Sequence, residues 1–161
     1  MSQPSHGKQF SAPMTDAVRD QLLAEQTECT FIWQGKSDPC GTIMSYIWAN
    51  GSVWLTTNDA RPRVAAVKKS GRATVVISSA GTALGDSRCI SMRGHCAILN
   101  DRETRDWFFP LFCQALLPGN EKAQAAMRDL LDRDGQVILQ LRPDKSIAYD
   151  GDALMRKLDA L

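Results

Sequence analysis

Asn50-Gly51 is the dipeptide that most restricts what this chain can fold into. A two-residue hairpin turn needs positive φ at both central positions, and Asn-Gly meets that demand at the lowest steric cost. The pair stands between two extended runs, Gly41 to Trp48 and Ser52 to Thr57, both rich in β-branched and aromatic residues. The spacing predicts an antiparallel hairpin. It argues against a doubly wound parallel sheet, which needs regular alternation of strand and helix.

Other strands follow from composition and period. Thr30 to Trp33 and Arg72 to Ser78 read as short strands. Arg88 to Leu99 alternates, with Ile90, Met92, Gly94, Cys96 and Ile98 on one side and Cys89, Ser91, Arg93 and His95 on the other. The last two extended runs, Gln136 to Leu141 and Ser146 to Tyr149, are separated by Arg142-Pro143-Asp144-Lys145, which reads as a turn. Helical spacing appears at Thr15 to Gln26, Arg61 to Lys69, Glu121 to Arg133 and Asp152 to Leu158. Asp101 to Leu117 is also helical, with Pro110 expected to kink or divide it. Six or seven strands in largely hairpin order, with helices between them, define a mainly β class: an antiparallel barrel decorated by helices.

A length of 161 residues fits one domain, here residues 13–161, behind a flexible leader over 1–12. The leader is polar and has no apolar stretch to act as a signal peptide, so a cytoplasmic location is expected. With 19 basic against 18 acidic side chains there is no overall field favouring nucleic acid or anionic lipid, and any anion site must be local. Cys29, Cys40, Cys89, Cys96 and Cys113 form an odd set without a C-x-x-C pair, and His6 and His95 are the histidines. This speaks against structural zinc and against a disulfide framework. The thiols read as small hydrophobes.

One segment carries chemistry. In Trp54-Leu55-Thr56-Thr57-Asn58-Asp59-Ala60-Arg61-Pro62-Arg63 a strand ends in two hydroxyl side chains and two arginines sit at the first turn of a helix. A helix N-terminus carries about half a positive charge, so cations there lose about 0.3–1 kcal/mol each while anions gain it. Two arginines at that end point to an expected anion, with backbone N–H groups, guanidinium forks and threonine hydroxyls as the donors a phosphate monoester needs. The competing reading leaves Arg61 and Arg63 solvated or paired with Asp59.

From Gly41 to Ile77 the strand, Asn-Gly turn, strand, basic helix start and Gly71-Arg72-Ala73-Thr74-Val75-Val76-Ile77 strand resemble the pyridoxamine-phosphate-oxidase-like, FMN-binding split-barrel superfamily. Arg88 to Ala97 and Lys145 to Asp150 are similar to its later strands. The resemblance implies FMN held in a groove between two subunits of a homodimer. It implies Ile43, Met44 and Ser45 along the isoalloxazine, and Thr56, Thr57, Arg61 and Arg63 at the phosphate. Pro62 stands where the oxidases proper place a second basic side chain, and Cys89 where they carry a glutamine near the flavin. The stretch from Asp152 to Leu161 lacks their Arg- and His-containing tail, so this is not expected to be a true pyridoxamine phosphate oxidase.

No other motif competes: His-x-x-Glu-His, Gly-x-Ser-x-Gly, Gly-x-x-x-x-Gly-Lys and Gly-x-Gly-x-x-Gly are all absent. Flavin chemistry asks little of protein acids and bases, so no catalytic residue is named. His95 reads as solvated, and Cys89 as a packed or cofactor-adjacent thiol. Trp107, Phe108 and Phe109 form an aromatic knot suited to core packing, to a ligand lid or to a dimer seam. The expectation is an FMN-dependent oxidoreductase acting on a small molecule. The same barrel with the deazaflavin F420, a flavin or haem carrier, and a single-strand nucleic-acid binder are the alternatives, the last disfavoured by charge.

Overall fold

The computed structural model describes residues 13–160, so the leader over 1–12 lies outside the described residues. Six strands, β1 (Glu28–Gln34), β2 (Pro39–Ala49), β3 (Ser52–Asn58), β4 (Arg72–Ser78), β5 (Arg88–Leu99) and β6 (Gln136–Asp150), close into a barrel in the order β1-β2-β3-β6-β5-β4. Every pairing is antiparallel. The β2–β3 hairpin turns on Asn50 and Gly51, at φ 50° and 67°. Closure leaves no long unpaired edge for another chain to join. The helices are α1 (Asp16–Glu25), α2 (Pro62–Ser70), α3 (Arg102–Leu116), α4 (Glu121–Leu131) and α5 (Gly151–Asp159).

Alternation along the strands produces two cores. Phe31, Tyr46, Val53, Leu55, Val75, Ile77, Ile90, Leu139 and Leu141 point inward and are fully buried, joined by Leu22 and Leu23 of α1 and Val67 of α2. Their neighbours Ile47, Trp54 and Ile138 point outward and pack under Phe108, Phe109 and Phe112 of α3 and Leu131 of α4. The Trp107 ring meets Trp54 edge-on at 4.6 Å between centroids, and the Trp54 indole N–H donates to the Ala49 carbonyl at 2.8 Å. The aromatic knot is therefore core packing between the α3–α4 pair and the outer face of β2, β3 and β6.

One local reading narrows and another changes. Pro110 does not divide α3, which runs unbroken through it. An interior proline costs about 3 kcal/mol. Each large apolar side chain buried around it returns about 1.5–3 kcal/mol, and Phe108, Phe109 and Phe112 flank it on both sides. Arg142 to Lys145 is not a turn either, because β6 continues from Gln136 to Asp150 in one strand. The register steps instead: Arg93 pairs with Lys145 and Gly94 with Pro143, leaving Asp144 as an extra residue. A bulge tolerates the missing N–H of proline, and the displaced Asp144 carboxylate takes Arg72 at 2.7 Å.

Gly94 is what lets the two strands meet there. A Cβ on residue 94 would lie 1.9 Å from the Arg142 carbonyl oxygen. Gly94→Ala should therefore destabilise the fold by about 1–3 kcal/mol, the scale of overpacking, seen as a lower urea midpoint with an unchanged slope. An unchanged midpoint would show that β5 and β6 do not approach this closely.

Candidate functional site

The α3–α4 pair covers only part of the outer face of β2 and β3. Where it ends, a groove of about 510 Å³ opens. Ile43, Met44 and Ser45 of β2 form one side, Thr56 and Thr57 of β3 and Arg61 and Arg63 at the start of α2 the other. The wall is the apolar edge of the helix pair, Phe112 and Leu116 with Met127 and Leu131. Seven of the eight residues named from the sequence thus share one groove. The eighth, Cys89, lies outside it in the single chain, on β5 between Ser78 and Tyr149.

The cationic end is built against the helix dipole. Arg61 is the N-cap of α2 and makes no side-chain capping bond, Pro62 opens the first turn, and no acidic residue follows. The guanidinium of Arg61 has no hydrogen-bond or ion-pair partner among the described residues. Asp59 pairs with neither arginine; the turn between β3 and α2 is held instead by the Ala60 N–H donating to the Asn58 side-chain oxygen at 3.0 Å. Arg63 is more constrained. Its Nη1 donates to the Thr57 hydroxyl oxygen at 2.9 Å, its guanidinium lies 5.6 Å from the centroid of the Trp33 ring, and its Nε is buried without a partner. Burial, and then the charge of Arg61, lower the Arg63 pKa from its ordinary value. A buried donor without an acceptor costs about 1–3 kcal/mol, more when charged, and an anion in the groove would relieve it.

The two threonines differ in what they can offer. The Thr56 hydroxyl donates to the Val137 carbonyl at 3.0 Å, so its proton is committed to β6. The Thr57 oxygen accepts from Arg63, which leaves its own proton free to donate. Sequence reading put both hydroxyls on one footing, and it missed Trp33 entirely, since only the β1–β2 and β1–β4 pairings bring that strand beside α2. The apolar helix wall was visible as helical periodicity without any sign of what it faced.

Elsewhere the titratable groups serve structure. Burial pushes the Cys29 and Cys96 thiols up to about 12, so they stay protonated. His95 is exposed, with its ring 3.5 Å from Arg72. Among the described residues no three His, Cys, Asp or Glu side chains gather to hold a metal ion, and no helix is long and apolar enough to cross a membrane. The groove wall is fixed by Arg105, which is buried and donates to the Asn100 side chain, to Asp132 at 2.8 Å and to the Gln136 carbonyl. This ties α3 to the end of α4 and the start of β6. Hydrogen bonds from Arg102 and Arg105 hold the Asp132 carboxyl below the usual carboxylate range.

The closed barrel with its inserted helices is the split-barrel fold of pyridoxamine-phosphate-oxidase-like flavin-binding proteins. No protein-family model matches the chain, and no curated protein does. Among solved structures it is similar to the conserved hypothetical protein Rv2991 of Mycobacterium tuberculosis, at 16% identity and TM-score 0.77, over 96% of this chain and 93% of that one. A putative pyridoxamine 5'-phosphate oxidase of Listeria innocua follows at 11% identity and TM-score 0.61, over 81% and 94%. A FAD-binding protein of Mesorhizobium loti stands at 10% and 0.61, over 84% and 92%. The same barrel occurs in an F420 reductase, at 15% identity and TM-score 0.58, and in the heme storage protein HutZ of Vibrio cholerae, at 7% and 0.60. At these identities the likeness shows the fold.

Replacing Arg105 with methionine keeps its length and removes its donors. Arg105→Met should cost about 1.5–3 kcal/mol, the scale for hydrogen bonds to charged groups, in urea unfolding. A loss under about 0.5 kcal/mol would show that the α3–α4 wall is held by its apolar contacts alone.

Proposed function

We propose that this chain is an FMN-dependent oxidoreductase acting on a small molecule, with FMN held by its phosphate at Arg61, Arg63 and Thr57. The observation that carries this reading is the buried, unpartnered Nε of Arg63 beside a second cation without a partner, at a helix N-terminus free of acidic side chains. A phosphate monoester supplies the missing acceptors and the negative charge that the helix end favours. When bound, a flavin supplies hydride chemistry at its ring. The chain's own part is to fix the phosphate and to offer the backbone of Ile43 to Ser45 as an edge for the ring. The apolar helix wall keeps water from one side.

Two features favour FMN over the alternatives from the same fold. F420 carries an acidic tail beyond its phosphate, and among the described residues the groove has no cation other than Arg61 and Arg63. Haem needs an axial ligand, and among the described residues no histidine lines the groove. Loss of the Arg63 bonds in Arg63→Ala should weaken FMN by about 1–3 kcal/mol, roughly 5- to 150-fold, in a fluorescence titration. Unchanged affinity would put the phosphate elsewhere.

We also infer a homodimer. Paired residues run in an outward row across five strands, Ile43, Thr30, Val76, Ser91 and Ile147, without a charge among them. Its two ends are bare, Ile43 at 69% and Ile147 at 76% exposed. Ile43 is also a rim of the groove. A second copy seated on this row by a two-fold axis would set its Ile147 end against Ile43, adding a second wall to the groove. On this reading Cys89, one row away beside Tyr149, belongs to that seam. Ile147→Glu should convert dimers to monomers in sedimentation velocity without loss of folded secondary structure; a wild-type monomer at high micromolar concentration would remove the dimer.

A further inference from the structure

A second cavity, of about 330 Å³, adjoins the groove along β2. The groove uses Ile43 to Ser45 of that strand, and this cavity begins at the next residue and runs from Tyr46 to Ala49. On α3 the two are interleaved: Phe112 and Leu116 face the groove, Leu111 and Ala115 the cavity. Its far side is the end of α1, at Leu23 and Ala24.

The chemistry of the lining is unlike that of the groove. Among the described residues it contains no Asp, Glu, Lys, Arg or His. Of its carboxamides, Gln26 is fully committed, donating to the Ser78 and Ala80 carbonyls at 2.7 and 3.0 Å and accepting the N–H groups of Thr27 and Glu28. The Gln114 amide has no partner among the described residues and stands exposed at the mouth. The Ala49 carbonyl is already taken by Trp54. Apolar and aromatic surface with a few uncharged polar groups, here the Gln114 amide, the Thr27 hydroxyl and the Trp48 indole N–H, is the make-up of a small-molecule pocket, and the volume lies at the lower end of the range such pockets span. A charged ligand would lose its hydration here with nothing to replace it.

We propose that this cavity is the substrate pocket, and that it takes a neutral, flat, mainly apolar molecule of about two fused rings whose carbonyl or hydroxyl group meets the Gln114 amide. The role of the occupant as substrate rests on the flavin reading, because the pocket lies next along β2 from the edge offered to the flavin ring. The preference of the pocket for neutral ligands does not rest on it.

Coumarin and coumarin-3-carboxylate are a matched, unreactive pair differing in charge, and ligand-observed NMR on the full, FMN-free chain gives their affinities. Coumarin should bind at least tenfold more tightly than the carboxylate. Ala115→Phe, at an exposed helix position where the fold tolerates bulk, should fill the pocket and weaken coumarin at least tenfold while FMN affinity stays within twofold. Equal binding of the two coumarins, or coumarin affinity unchanged in Ala115→Phe, overturns the pocket. Failure of the wild-type chain to bind FMN, with the coumarin results as expected, overturns the substrate role and the flavin reading and leaves the neutral pocket standing.

Discussion

The hydrogen bond from Arg63 to Thr57 joins the last buried residue of β3 to the first turn of a helix that would otherwise repel a cation. Two guanidinium groups at the positive end of α2 are unfavourable by themselves. Arg63 is kept there by Thr57 and by the Trp33 ring, a cation–π contact worth about 0.5–1 kcal/mol at an exposed site and more when desolvated. Neither partner satisfies Nε. The junction is therefore a place where the fold holds charge and donors in readiness, and the groove, the proposed ligand and the direction of the neighbouring pocket all take their position from it.

Closure of the barrel makes this possible. Because β3 pairs with both β2 and β6, its outward side chains lie in one continuous surface with Ile43, Ser45 and Gln136. The α3–α4 pair, inserted between β5 and β6, covers the upper part of that surface with phenylalanines and stops short of the rest. The Arg105 network sets where it stops. Apolar burial thus decides which half of the outer face is core and which half is groove, while the polar contacts fix its edge.

Much of this was legible in the sequence, and what was not failed for physical reasons. The hairpin at Asn50-Gly51, the α2 boundaries and the Arg72–Ser78 and Arg88–Leu99 strands were readable because local turn chemistry and side-chain period decide them. The β6 turn was misread because Arg142-Pro143-Asp144-Lys145 has turn composition, and only the pairing with Gly94 turns that composition into a bulge. That Pro110 does not divide its helix could not be read locally, because the burial that outweighs the proline comes from β2, β3 and β6, distant in sequence. At the site, Arg61 and Arg63 were visible from their clash with the helix dipole. The unequal roles of Thr56 and Thr57 depend on Val137, 80 or more residues away along the chain, and no local signal carries that.

The central claim is that the junction recognises a phosphoryl group and not merely a flavin ring, and the difference in affinity between FMN and riboflavin measures this without any substitution. The account predicts that FMN binds at least about a hundredfold more tightly, about 2.7 kcal/mol, the scale of one or two charge-assisted hydrogen bonds. It also predicts that inorganic phosphate competes with FMN. Equal affinities for FMN and riboflavin would contradict it.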